Sequence, residues 1–155
     1  MKRIYILSAA VMASAASVSA VAGAQAGVPS ASASRVAKVQ LRHTGLGNIL
    51  VDASGFTLFR FTKDGRNQDM CVKISQCPGT WPALTTSGKP LAGPGVKASL
   101  LSTIKLPGGA RQVTYAGHAL YRYANAEERA ETTYVSAMQF GGIWYAVNAA
   151  GNTVK

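Results

Sequence analysis

The chain has 155 residues, with sixteen Lys plus Arg, six Asp plus Glu, two Cys and a formal net charge of +10. That length fits one domain or two very small ones, and a hydrophobic share of 48% against 14% charged excludes wholesale disorder. Six acidic residues leave little room for a paired-carboxylate hydrolase or an oxygen-ligand metal cage.

The first 27 residues read MKRIYILSAAVMASAASVSAVAGAQAG. Lys2 and Arg3 make a basic head, Ile4 to Ala22 is apolar, and Ala24-Gln25-Ala26 is a small-x-small cleavage signal, with Val18-Ser19-Ala20 as an earlier alternative. This order predicts a secretory signal peptide over residues 1–26. A retained membrane anchor is the poorer reading, because Ala and Ser contribute little transfer energy. Lys2-Arg3 is not a twin-arginine pair, so the general secretion route is expected. Cleavage leaves 129 residues at +8, with no transmembrane span. No Cys stands near the cleavage site, the first being Cys71, so no lipid anchor is expected. The expected location is extracytoplasmic, either periplasmic or secreted.

Residues 27–44 are expected to be a flexible leader, since 27–38 (GVPSASASRVAK) is small, polar and without period. A single β domain is expected over 45–155. Asn48 to Asp52 is a short apolar run, Asp52-Ala53-Ser54-Gly55 has turn chemistry, and Phe56 to Thr62 is β-rich, so these predict a hairpin. Residues 63–79 read as a long ordered connection. Ser87-Gly88-Lys89-Pro90 and Gly93-Pro94-Gly95 are expected to break regular structure. Leu100 to Leu106 predicts a strand, or a turn of helix followed by a strand. Pro107-Gly108-Gly109 predicts a tight turn, and Arg111 to Tyr115 and Ala119 to Tyr123 predict two more strands. Residues 125–137 read as a short helix or a polar loop, in which Glu127, Glu128 and Glu131 would form a solvated face. Ile143 to Asn148 and the chain end predict the last strands. The fold class is therefore all-β and hairpin-rich, in antiparallel units.

A shift of 62 residues aligns VDASGFTLFRF (51–61) with VTYAGHALYRY (113–123). Val51 meets Val113, Gly55 meets Gly117, Leu58 meets Leu120 and Arg60 meets Arg122, while Phe59 and Phe61 meet Tyr121 and Tyr123. Trp81 falls one residue out of register with Trp144. The pattern predicts two related β units, about 45–98 and 99–155. Alternate residues of a strand share a face, so Phe59 with Phe61 and Tyr121 with Tyr123 present aromatic faces. A lone hairpin cannot hide such a face, but two can bury theirs against one another. These rings and both Trp are expected in or near the core.

Cys71 and Cys77 are the only cysteines, and an even count in an exported chain reads as a disulfide. A redox pair wants the spacing C-x-x-C, which is absent. A thiolate metal site needs two further ligands, for which only the histidines His43 and His118 are present. No metal and no cofactor are expected.

Several ordered motifs resemble the bacterial "secreted repeat of unknown function" family, whose members carry a Y-x-(F/W/Y)-x-x-D motif. Its first occurrence here is Phe59-Arg60-Phe61-Thr62-Lys63-Asp64; its second is Tyr121-Arg122-Tyr123-Ala124-Asn125-Ala126, without the closing Asp. Cys71, Cys77 and Trp81-Pro82-Ala83-Leu84 resemble the family's cysteine pair and W-P-x-L. Gln112-Val113-Thr114-Tyr115-Ala116-Gly117 resembles its Q-V-x-Y-x-G, and Gly141-Gly142-Ile143-Trp144-Tyr145-Ala146-Val147 its G-G-x-W-Y-x-V close. The resemblance spans roughly 45–151 and implies export and this kind of fold, with no established activity.

Function is expected to be non-enzymatic: an envelope-associated binding or structural module outside the cytoplasm. The alternative is a secreted enzyme or a metal- or redox-handling envelope protein. Ser54 and Ser136 lack the G-x-S-x-G elbow. Asp64 is the best carboxylate, but in Lys63-Asp64-Gly65 it reads first as a turn residue binding backbone, with no partner in view. A charge of +8 attracts anions over about a Debye length, near 8 Å at physiological salt. Anionic envelope polymers or lipid headgroups are the expected partners. Specific nucleic-acid binding is not, because the basic residues stand singly.

Overall fold

A computed structural model describes residues 35–155. The predicted signal peptide and residues 27–34 of the expected leader lie outside the described residues. The remainder of the leader is corrected: Lys38–Thr44 is a strand, β1, paired antiparallel with β2 (Gly47–Val51) from Gln40↔Val51 to Thr44↔Gly47. His43 is thus an exposed strand residue, its Nδ1 3.2 Å from Asn48 Oδ1. The segment folds because Val39 is fully buried, so its small polar neighbours do not decide its state.

The strands that follow are β3 (Phe59–Phe61), β4 (Thr85–Thr86), β5 (Leu91–Ala92), β6 (Leu101–Lys105), β7 (Arg111–Tyr115), β8 (His118–Ala119), β9 (Ala137–Gln139), β10 (Gly142–Val147) and β11 (Thr153–Val154). Single turns of helix stand at Cys71–Lys73, Cys77–Thr80 and Ala98–Leu100. The all-β expectation holds, with one local correction: not every pair is antiparallel, since β5 pairs parallel with β1. The expected breakers at 87–90 and 93–95 carry no strand or helix, and β5 lies between them. Of the two readings of 125–137 the loop holds through residue 136, so Glu127, Glu128 and Glu131 share no helical face.

The two expected hairpins have matching hydrogen bonds. In the first, the Leu58 N–H donates to the Leu50 carbonyl and Val51 bridges Thr57. In the second, the Leu120 N–H donates to the Val113 carbonyl and Thr114 pairs with Ala119. The first turn, Ala53-Ser54-Gly55, is one residue longer than Ala116-Gly117, so Val51 corresponds to Thr114 and not to Val113. Gly55 and Gly117 do correspond, and both need the left-handed backbone, at φ 91° and 79°. The hairpins meet at Phe59 and Tyr121, whose N–H groups each donate to the other's carbonyl at 2.9 Å.

Neither half closes its own sheet. Phe59 pairs with Ala146 in β10, and Ile49 bridges Asn148. Tyr121 bridges Ala83, and Gln112 pairs with Thr85. The chain after Trp81 therefore completes the later hairpin, and the chain after Trp144 completes the earlier one. An expected boundary near residue 98 consequently divides the chain and not the hydrogen-bonded structure.

Alternation along the central strands separates two main cores, with a small third cluster of Ile49, Val51 and Ala146. On one side Phe59, Phe61, Tyr121, Trp81 and Trp144 pack with Ala119 and the two cysteines. Trp81 and Trp144 stack at 4.1 Å between ring centroids, and Phe61 stacks on the far face of Trp144 at 4.2 Å. On the other side Leu58 and Leu120 pack with Val39, Leu50, Leu84, Val113, Tyr115 and Val147. Tyr123 is half-buried at the rim of the aromatic core against Tyr134. Tyr145 is half-buried opposite Arg60, on the face away from Trp144.

Candidate functional site

Cys71 and Cys77 form the expected disulfide, with Cα atoms 5.4 Å apart. Both are buried, and the Trp81 N–H donates to the Cys77 carbonyl at 2.7 Å. The short cystine loop therefore seats Trp81 in the aromatic stack. The Trp81 indole N–H in turn donates to Gln139 Oε1 at 2.8 Å.

Asp64 is a turn residue as expected, since its Oδ1 accepts the Met70 N–H at 2.7 Å. Its side-chain partner comes from the other hairpin: the Tyr121 hydroxyl donates to Oδ2 at 2.7 Å. The pair spans 57 residues of sequence, which is why no local pattern reveals it. Burial pushes the Asp64 carboxyl up to about 6, against the pull of the Met70 and Tyr121 donors. Burial, with the adjoining carboxylate, also drives the Tyr121 phenol far above its ordinary range. The corresponding place in the other half has neither group. Phe59 stands where Tyr121 would, and Ala126, whose N–H donates to the Tyr123 carbonyl as the Asp64 N–H does to that of Phe61, stands where Asp64 would.

The turns of the two hairpins carry basic side chains in matching places. At the first turn the Ala130 N–H donates to the Gly55 carbonyl, and Arg129 lies across Gly55, its Cδ 3.3 Å from where a Cβ would stand. At the second, the Asn67 N–H donates to the Gly117 carbonyl, and Arg66 lies across Gly117 at 3.0 Å in the same sense. Arg122 and Arg60 are the corresponding strand residues. Arg122 reaches the buried Asp52, Nη1 to Oδ2 at 3.1 Å, while Asp52 Oδ1 accepts the Ser54 and Phe56 N–H groups. Tyr115 takes the place of Asp52 beside the second turn. Its hydroxyl donates to the Ala149 carbonyl and accepts the Lys97 N–H, so it is occupied in the core.

Among the described residues no group of three His, Cys, Asp or Glu side chains converges as a metal site would require, and no helix is long and apolar enough to cross a membrane. Ser54 and Ser136 lie in turns, with no imidazole bonded to either hydroxyl among the described hydrogen bonds. A cavity of about 380 Å³ beside the Asp52–Arg122 pair is lined by Arg35, Lys38 and Ser54 among others. The sequence offered Asp52 only as a turn residue, Arg66 only as one of the scattered basic residues and His118 only as a possible metal ligand; the shared offset of the Arg60/Arg122 pair was the one signal pointing toward this arrangement. No family model, no curated protein and no solved structure matches the chain.

Proposed function

We propose that this is an exported, non-enzymatic module that acts outside the cytoplasm by binding anionic envelope polymers or lipid headgroups. Its two halves are copies of one β unit. The observation that carries the binding reading is unpaired positive charge on a tied β scaffold. Residues 35–155 hold fourteen Lys and Arg against six Asp and Glu, and Arg122–Asp52 is the one ion pair among the described residues. Long-range attraction of that size concentrates polyanions at the surface. The buried disulfide supports an oxidising compartment, and the resemblance to the secreted repeat family supports export. The matched hydrogen bonds of the two hairpins, and their mutual completion by β4 and β10, support the duplication.

The test is capture from envelope extract by the exported protein at about 0.1 M and about 1 M salt, where the Debye length is about 10 Å and 3 Å. The expected result is an anionic polymer or lipid retained at the lower concentration and released at the higher. Retention that survives the higher salt overturns charge attraction, and no capture at the lower overturns the binding role. Sequencing the exported protein's N-terminus checks processing, with a start at residue 27 expected.

A further inference from the structure

Arg122 and Arg60 occupy corresponding positions on the two hairpins, yet only Arg122 meets a carboxylate. The turn beside Arg60 gathers cations in its place. Arg66 lies over Gly117, with Nη1 3.4 Å from the Ala116 carbonyl it donates to. His118 follows that turn directly and pairs with Tyr115. The Phe59–Tyr121 pairing sets residue 60 opposite residue 120, which puts Arg60 and His118 diagonally on one face. Both guanidinium charges reach the imidazole and, after burial, hold its pKa below the ordinary value. Arg60 Nε and His118 Nδ1 are buried without a hydrogen-bond partner. Across the strand stands Tyr145, with Lys155 Nζ 5.9 Å from its ring centre. Asp64 attracts the Arg60 guanidinium without an ion-pair contact, its oxygens accepting from Tyr121 and Met70, and Asp69 Oδ1 accepts the Val72 N–H. Two guanidinium groups beside an imidazole, with no carboxylate among the described residues in contact with either guanidinium, are costly to hold together, and an external anion relieves that cost.

We infer that Arg60, Arg66 and His118 form a subsite for a phosphate oxyanion, which supplies the negative charge that Asp52 supplies to Arg122 at the other turn. Planar guanidinium groups match phosphoryl oxygens with paired donors, and an imidazole adds a third. The inference rests on the proposed role in binding anionic polymers and names the chemistry of one contact. The phosphate comes from a lipid headgroup or from a soluble phosphorylated chain.

The test uses the exported protein with inorganic phosphate, a short polyphosphate, and vesicles of phosphatidylglycerol against phosphatidylcholine, in about 0.15 M salt. The His118 imidazole is followed by NMR. Saturating phosphate is expected to raise its pKa, and R60Q/R66Q is expected to weaken phosphate and polyphosphate binding at least tenfold. The control K89Q/K97Q, which removes the same charge elsewhere, should change it less than twofold. Should R60Q/R66Q fail to fold, R66Q alone, at an exposed side chain, is expected to weaken binding at least threefold. Equal losses in variant and control, or an imidazole indifferent to phosphate, overturn the subsite. Preference for phosphatidylglycerol vesicles over polyphosphate assigns the lipid source, and the reverse assigns the soluble one. Capture of envelope polymer that is undiminished in R60Q/R66Q overturns the subsite and leaves the broader binding role standing. Phosphate bound at His118 without any capture of envelope polymer overturns that role and leaves the subsite.

Discussion

Replacing Phe61 by Ala tests the packing at its centre. The ring is 1% exposed and lies 9° from parallel on Trp144, which itself stacks on Trp81. Its edge also fills the space over Gly142, where a Cβ would come within 2.5 Å of Phe61 Cε2. Truncation removes buried apolar surface, leaves a cavity against the Trp144 indole beside Gly142 and loses the stack. Buried Phe-to-Ala changes cost about 3–5 kcal/mol, and the stacked neighbour, worth about 1 kcal/mol, places this one near 4 kcal/mol. With a urea slope of about 2 kcal/mol per molar, the midpoint should fall by about 2 M at unchanged slope. Urea unfolding followed by Trp fluorescence reads this directly, since the Trp144 indole stacks on the lost ring and Trp81 stacks on Trp144. Met138→Ala, at a side chain 77% exposed, is the control and should stay within about 0.5 kcal/mol. A loss below about 1 kcal/mol for Phe61→Ala, with the slope intact, would refute a stack that carries stability.

Three further outcomes follow from the same geometry. Asp64 keeps its proton up to about pH 6 in the fold, against an ordinary value of 3.8. The folded state therefore binds more protons between those values, and stability should fall as pH rises through that window, then level off. The undiscounted shift corresponds to about 3 kcal/mol, and partial exposure lowers the expectation to about 1 kcal/mol. Asp64→Asn should flatten that stretch of the stability–pH profile, and a slope unchanged in the variant would assign it to another group. Asp52→Ala removes the acceptor for two turn N–H groups and strands Arg122, at an expected cost of about 2–3 kcal/mol in thermal or urea unfolding, whereas Asp52→Asn keeps the turn bonds and should cost about 1 kcal/mol. Reducing Cys71–Cys77 opens a short loop, for which chain entropy gives about 2 kcal/mol. Hydrogen exchange should quicken around residues 64–81 and leave the β1–β2 hairpin unchanged.

Much of the fold is local chemistry and could be read from the residues. Alternating aromatic and aliphatic positions around Arg60 and Arg122 make strands with two apolar faces. Gly55 and Gly117 provide the positive φ their turns require, and two cysteines six apart suffice for a short cross-link. β1 was not legible, because its one fully buried anchor, Val39, sits among small and polar residues, and its state is decided by partners at 49–51 and 91–92. The strand exchange after Trp81 and Trp144 was equally hidden, since the likeness of 51–61 to 113–123 predicts two related units and not which strand completes which sheet.

The linear order of residues determined that this chain builds two aromatic-faced hairpins with a cystine between them and a large surplus of positive charge. Only the tertiary structure decided that Asp64 bonds Tyr121, that Asp52 neutralises Arg122, and that Arg60 is left beside Arg66 and His118 without a carboxylate in contact. Hydrogen bonds and ion pairs act over about 3–4 Å in space. Separations of tens of residues along the chain therefore carry no trace of them until the sheets close.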